Sequence, residues 1–409
     1  MTRTLRVRAA AAVIGLFLAL TAGRAFATEY VVTNNDVSAS NTISIYKLSG
    51  PTLGATLVGV TTVSTKGAGI GSGYAANRSV VANEVGFGGC VYAGDAGSGD
   101  ISAMESLHGA PLHVVQNYRT QFNDAATAGG LGLIITSQGT VQYLVSNYTG
   151  NDSNVPPAIG VWSFGGNCTL GLQSHLPTAG INGGPIDSMA LSPNGAVLVV
   201  AYTDGSVGSY IINGNGVVHL VSQEMIAGSG VGSGAYAASV TVSHDGKWAI
   251  FGDSSASNTT QVDVASIGSN GALGPTTTYG GDGSLGSGLD TAGIEVSPDD
   301  RFIYAVNSGS GQLTTLSFDT TTGVVTYPNN CLTNLKDYNS EWSTASQVDV
   351  IGLLGAGTGL YVSEGFLTGD SYIALLSINS KTGCTTELPH SPFTDPNGGS
   401  LQSIAAFTF

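Results

Sequence analysis

Charge is scarce in this chain, and basic charge is scarcest: charged residues fill 10% of its 409 positions, with 12 Lys and Arg against 27 Asp and Glu. Arg3, Arg6, Arg8 and Arg24 all lie in residues 1–27, which hold no acidic residue, so the rest of the chain sets eight basic residues against 27 acidic ones, a formal charge of −19. Nucleic acid and anionic membranes are held by clustered Lys and Arg, so neither is an expected partner. Cysteine is also rare, and none of Cys90, Cys168, Cys331 and Cys384 forms a Cys-x-x-Cys pair, which argues against a redox or zinc site. In an exported chain the four permit two disulfides in three connectivities, while Cys90, in an apolar strand, reads equally as a small buried core residue. No Gly-x-Ser-x-Gly supports a serine nucleophile, and no Lys follows a glycine-rich loop at phosphate-loop spacing.

Long apolar runs are missing too, apart from Ala9 to Ala22. That run follows Arg3, Arg6 and Arg8 and precedes Ala25-Phe26-Ala27, the small-x-small pattern of a signal-peptidase site. At about 14 residues it falls short of the roughly 20 that span a bilayer. The expectation is a signal peptide at 1–27 and one domain at 28–409, soluble, monomeric and extracytoplasmic (periplasmic or secreted), with no membrane insertion.

What the chain has in quantity is glycine, 60 residues of it, together with short segments of two-residue alternation. The clearest copy is SPDDRFIYAVNSGSGQLTTLSFDTTTG, from Ser297 to Gly323. A Pro-Asp-Asp turn leads into the apolar strand Phe302 to Val306, a turn at Asn307 to Gly311 into the alternating strand Gln312 to Phe318, and Asp319 to Gly323 turns the chain again. With a strand before it (Ala292 to Ser297) and one after (Val324 to Cys331), the unit is a four-stranded antiparallel sheet, its strands named a to d. Ends of strand a recur at Asn83, Ser137, Ser192, Ser243, Ser297, Gly355 and Phe407, in steps of 54, 55, 51, 54, 58 and 52 residues. Such a unit cannot bury both faces of its sheet alone, so the period predicts an all-β, seven-bladed propeller. The first segment after the leader, TEYVVTNND, matches strand b, and the chain ends on a spare strand a, SIAAFTF. The two termini are therefore expected to complete one composite blade.

YVVTNN, IYAVNSGSGQLTTLSFD and the SPDD and SPNG turns resemble the YVTN-type repeats of the lactonase-like seven-bladed propellers, a group that includes 6-phosphogluconolactonase-like proteins and fungal muconate-lactonizing enzymes. The resemblance implies that fold over the whole chain after the leader. It also implies that catalytic members use a His, a carboxylate and an Arg around the central cavity, and this chain has no His-Pro-His signature.

Propeller topology puts the d-to-a and b-to-c loops on one face, around the axis, where a small molecule, glycan or protein partner is expected. The b-to-c corners repeat a polar position: Asn34, Asp95, Asn147, Thr203, Asp253, Asn307 and Glu364. Asn and Asp there cap their own turns through side chain to backbone bonds, or else form an axial ring of ligand groups. In the ring reading Asn34, Asp95, Asn147 and Asn307 bind ligand, and Asp95, Asp253 and Glu364 suit a hard cation such as calcium. The d-to-a loops carry glycines at Gly69 to Ala76, Gly230 to Ala238 and Leu285 to Ala292, read as crowding at the axis or as anion nests. Among the cations, Arg301 falls in an a-to-b turn on the opposite face with His244, His108 and His113 flank a c-to-d turn there, and His175 and His390 fall on d strands. Arg78, on a strand facing the axis, needs an anionic partner or a ligand. The function expected is a binding module at the axial loop face, and the alternative a lactone hydrolase with Asp253 or Glu364 as general base and Arg78 polarising the carbonyl.

Overall fold

The computed structural model describes residues 29–49, 56–69, 80–83, 88–107, 113–119, 131–138, 141–148, 156–226, 236–254, 260–280, 284–285, 291–307, 309–328, 331–336, 343–353, 357–366, 371–395 and 403–408. They form seven antiparallel sheets and, among the described residues, no helix long and apolar enough to cross a membrane. Residues 1–27, the expected leader, lie outside them. Six blades are continuous in sequence, and the seventh joins the ends: Ser403–Thr408 pairs along its length with Glu29–Asn34, which continues into Thr42–Ser49 and Thr56–Ser64. This composite sheet, blade 1, is the expected closure. The inner strands of blades 2 to 7 are Val80–Asn83, Leu131–Gln138, Ile186–Leu191, Tyr236–Val242, Thr291–Val296 and Ser343–Leu353, each packed against the next, with Ser403–Thr408 completing the cycle.

The core lies between blades rather than within them. Each sheet turns alternate residues to either side, so its apolar side chains pack on the neighbouring blade. One apolar cluster occupies each of the seven interfaces; that between blades 7 and 1, for example, joins Val31, Tyr46, Leu48 and Ile404 to Tyr361, Ile373 and Leu375. Polar contacts add to this at the turns. The a-to-b turns of blades 4 and 5 place Gly195 and Gly246 in the left-handed region (φ +68° and +72°), and blade 6 puts Asp300 there at φ +57°. A carboxylated residue accepts that backbone because its oxygens take the amides of His244 and Asp245 in blade 5 at 2.7 and 2.9 Å.

The strand boundaries differ from expectation mainly in the outer strands. In blade 6 strand d is two pieces, Val324–Thr326 and Leu332–Asn334, and in blade 7 Thr385–Glu387 and Phe393–Asp395, with Pro328 in the first gap and Pro389 and Pro392 in the second. Proline gives no ladder donor and interrupts pairing. His390 therefore sits in the gap, not on a strand, while His113 opens strand d of blade 2 (His113–Arg119) and so flanks the c-to-d turn as expected.

All four cysteines are paired. Cys90–Cys168 joins blades 2 and 3, and Cys331–Cys384 joins blades 6 and 7, so Cys90 is a link between blades and not a free core residue. Each bridge closes a long loop, 78 and 53 residues respectively. Replacing Cys331 and Cys384 by Ser is expected to cost about 2–4 kcal/mol, read from urea unfolding without reductant. An unchanged midpoint would mean that the pair contributes nothing.

Candidate functional site

Strand b ends at the loop face in every blade, where its apolar run gives way to a polar residue that must satisfy the turn. Asn34, Asp95 and Asn307 are the last residues of their b strands, and Asp253 is the last but one of Trp248–Ser254. Asp95 and Asn307 are wholly buried, and Asn34 and Asp253 are only 1% and 2% exposed, so their side chains turn into the protein. Asn147 lies within Val141–Tyr148 and Glu364 within Gly357–Phe366, both near the strand end, and their side chains are outside the described set. Arg78 is outside the described residues altogether. Thr203 is exposed, and the register corrects its place in the series: Tyr202, not Thr203, pairs with Ile186 where Asp253, Asn307 and Glu364 pair with Ala237, Thr291 and Ala345.

The buried corner residues tie blades together. Asn34 donates through Nδ2 to the Gly94 carbonyl of blade 2 at 2.9 Å, while its Oδ1 accepts from Asn41 Nδ2 at 2.8 Å and the Asp36 amide at 3.2 Å. Asp95 accepts from Asn41 Nδ2 (2.8 Å), Thr65 Oγ1 (2.6 Å) and Ser102 Oγ. Burial pushes the Asp95 carboxyl up to about 6, with the three donors holding it from rising further. The loop glycines have their reason here: a Cβ on Gly67 would lie 2.3 Å from the Asp95 carboxyl, and one on Gly69 would lie 2.4 Å from Asp36. Gly69 alone of the two belongs to the glycine loops singled out in the sequence, and what crowds it is the corner residue Asp36 rather than an inner strand. In blade 6, Asn307 accepts from Thr291 Oγ1 (3.0 Å) and Thr260 Oγ1 of blade 5 (3.4 Å), and donates to Thr314 Oγ1 (3.0 Å).

Asp253 heads a different cluster. Its Oδ2 accepts from Gln261 Nε2, and its carboxyl is hydrogen-bonded to that of Asp263, a wholly buried residue of strand c whose Oδ1 accepts from Thr278 Oγ1. Burial, with the neighbouring Asp253 carboxylate adding to it, pushes Asp263 up to about 8. In sequence Asp263 sits in QVDVAS as an ordinary alternating polar residue, and nothing marks it as inward-facing. Among the described residues no group of three or more His, Cys, Asp and Glu is placed to hold a metal ion, and Asp95 and Asp253 belong to separate clusters in blades 2 and 5.

Nearer the axis, the inner strands carry features that the period does not reveal. In blades 4 to 7 strand a bulges opposite the corner, skipping Asp187, Ala238, Ala292 and Ser346 in the ladder. Such bulges re-aim side chains at a rim. Hydroxyls then join one inner strand to the next: Ser188 Oγ accepts the Val240 amide (3.3 Å), Ser403 Oγ the Val80 amide (3.0 Å), and Thr241 Oγ1 donates to Glu295 Oε1 (3.0 Å). Glu295, half-buried on a strand beside the axis, is a carboxylate that the corner pattern misses, although its place in the apolar run IEVS is a signal.

No family model and no curated protein matches the sequence. Solved structures resemble the fold. A protein of Bacteroides uniformis provisionally described as a 6-phosphogluconolactonase superposes with a TM-score of 0.64 at 12% identity, covering 93% of this chain and 99% of that one. One of Bacteroides fragilis with the same description gives 0.64 at 15%, covering 94% and 99%. The periplasmic gluconolactonase of Pseudomonas aeruginosa gives 0.55 at 18%, covering 73% and 80%. At such identities the likeness is one of fold alone, that of a seven-bladed propeller.

Proposed function

We propose that the protein is an exported binding module whose axial loop face holds a small, uncharged, hydroxyl-bearing ligand. One observation carries this reading: the described corner carboxylates are occupied within the protein. Asp95 accepts three side-chain donors and Asp253 is bonded to Gln261 and Asp263, so neither offers a free carboxylate to a substrate. What these bonds supply is rigidity, since loops anchored across blades lose less freedom when a ligand orders them. The charge of −19 after residue 27 disfavours anionic ligands, and the basic leader with its Ala-Phe-Ala end supports export.

Lactone ring opening is the second reading, favoured by the Asp253–Asp263 pair, which can exchange a proton near neutrality, and by the descriptions of the similar structures. In it Asp253 or Glu364 takes the general-base role and Arg78 polarises the carbonyl. The binding reading is tested by thermal shift with neutral sugars and neutral sugar lactones. At least one member is expected to raise the melting temperature by mass action. No shift across the panel would contradict a small neutral ligand at this face.

A further inference from the structure

On the opposite face, between blades 6 and 7, the a-to-b turn of blade 6 and the c-to-d turn of blade 7 enclose a cleft of about 200 Å³. Phe302, Tyr304 and Ile378 form its apolar floor, and Asp299, Arg301 and Ser380 its polar rim. Arg301 bridges the two blades: Nε donates to Asp299 Oδ2 at 2.7 Å, Nη2 to the Ser380 carbonyl at 2.8 Å, and the guanidinium sits 5.0 Å above the Phe302 ring centre. These bonds fix the guanidinium in place and leave Nη1 with no described partner. Asp299 balances its charge, so the rim offers a donor and an acceptor side by side with no net charge.

Beneath the rim lies a cost that the protein bears. Tyr304 is wholly buried, and its hydroxyl has no hydrogen-bond partner among the described residues. Burial pushes the hydroxyl's acidity further down, so it remains a donor at any physiological pH. An unpartnered buried hydroxyl destabilises the fold, and because it is sealed from solvent a ligand in the cleft does not reach it. Tyr92 stands at the same step of strand b in blade 2 and also lacks a described partner, but it packs against Phe164 with ring centres 5.4 Å apart.

We propose that this cleft binds one neutral pyranose ring, as a free monosaccharide or as the terminal unit of a glycan. Vicinal hydroxyls both donate and accept, which matches the adjacent Asp299 and Arg301. The C–H face of the ring matches Phe302, Tyr304 and Ile378, and the volume, below the roughly 300–1,000 Å³ of drug-sized sites, fits a single ring. This site is independent of the loop-face reading, because no residue is shared between them.

The test is saturation-transfer NMR with methyl α-glucopyranoside, methyl α-mannopyranoside and methyl β-galactopyranoside at up to about 10 mM, a range suited to weak binding. At least one glycoside is expected to bind. Arg301→Lys, which loses the fixed guanidinium fork at the rim, should weaken it about tenfold, as expected for one lost hydrogen bond. Ser380→Trp, which fills the cleft from its exposed rim, should abolish binding, and Tyr92→Phe should leave it unchanged. A disaccharide that binds more tightly than its monosaccharide glycoside identifies a glycan end, and equal affinities identify the free sugar. Absence of binding by all three glycosides, or binding that survives Ser380→Trp unchanged, would overturn the proposal. The loop-face ligand should be indifferent to Ser380→Trp, so the two sites fail separately.

Discussion

Deleting residues 401–409 is expected to destroy the fold, although they are few. They supply the whole inner strand of blade 1, whose six residues pair from Glu29↔Thr408 to Asn34↔Ser403. Without it, Glu29–Asn34 becomes an open edge at the axis, Ile404 leaves the cluster between blades 7 and 1, and the Val80 amide loses the Ser403 hydroxyl. A large apolar residue removed from a core costs about 2–5 kcal/mol on its own. Whole domains are stable by only about 5–15 kcal/mol. The loss of the strand, its ladder and the ring contact together should exceed what remains, so the truncated chain should aggregate and show no cooperative melting by circular dichroism. Ile404→Ala, which keeps the strand, should fold with a reduced midpoint. A truncated protein that melts like the full chain would contradict ring closure through the termini.

The second large effect concerns the buried acid pair. Asp263 holds its proton up to about pH 8 in the native state, whereas an unfolded aspartate releases it near 3.8. Between those values the folded protein binds more protons than the unfolded chain, so stability falls as pH rises from about 4 to about 8 and is unaffected by this group outside that window. Asp95, pushed up to about 6, adds to the decline over its lower half. Asp263→Asn replaces the protonated carboxyl by an amide donor to Asp253 and keeps an acceptor for Thr278. It should therefore flatten the pH dependence and stabilise the protein at pH 8, on the order of 2–3 kcal/mol. Urea unfolding at pH 5 and pH 8 checks both parts. A variant less stable than the natural protein at pH 8 would show that the pair is not protonated there.

Much of the architecture was legible because a propeller repeats the same solution. The inner strands of blades 4 to 6 end in the related turns Ser192-Pro193-Asn194, Ser243-His244-Asp245 and Ser297-Pro298-Asp299, and the steps between strand ends all round the ring track the spacing of blades rather than any local propensity. The spare terminal strand then required closure. Contacts across blades were not legible in the same way. Cys90 and Cys168 are 78 residues apart, and only the ring brings them together. Asp263 alternates like an outward-facing residue, and its burial depends on the neighbouring blade. The corner series was found to within a residue, with Thr203 misplaced by one because blade 4 carries an aromatic residue, Tyr202, at the corner and its first small polar residue comes one step later. Buried side chains at Asn34, Asp95, Asp253 and Asn307 could not be distinguished from axial ones by spacing alone, since caps and ligands use the same residue types.

The central claim, that the loop face binds and does not hydrolyse, is tested most directly by a pH-stat assay of the purified chain after residue 27 with 6-phosphogluconolactone and gluconolactone. Proton release at the buffer rate is expected for the anionic lactone, because a charge of −19 and occupied corner carboxylates neither attract it nor offer it a free base. Robust turnover of 6-phosphogluconolactone that disappears in Arg78→Ala would contradict the account and establish a lactonase.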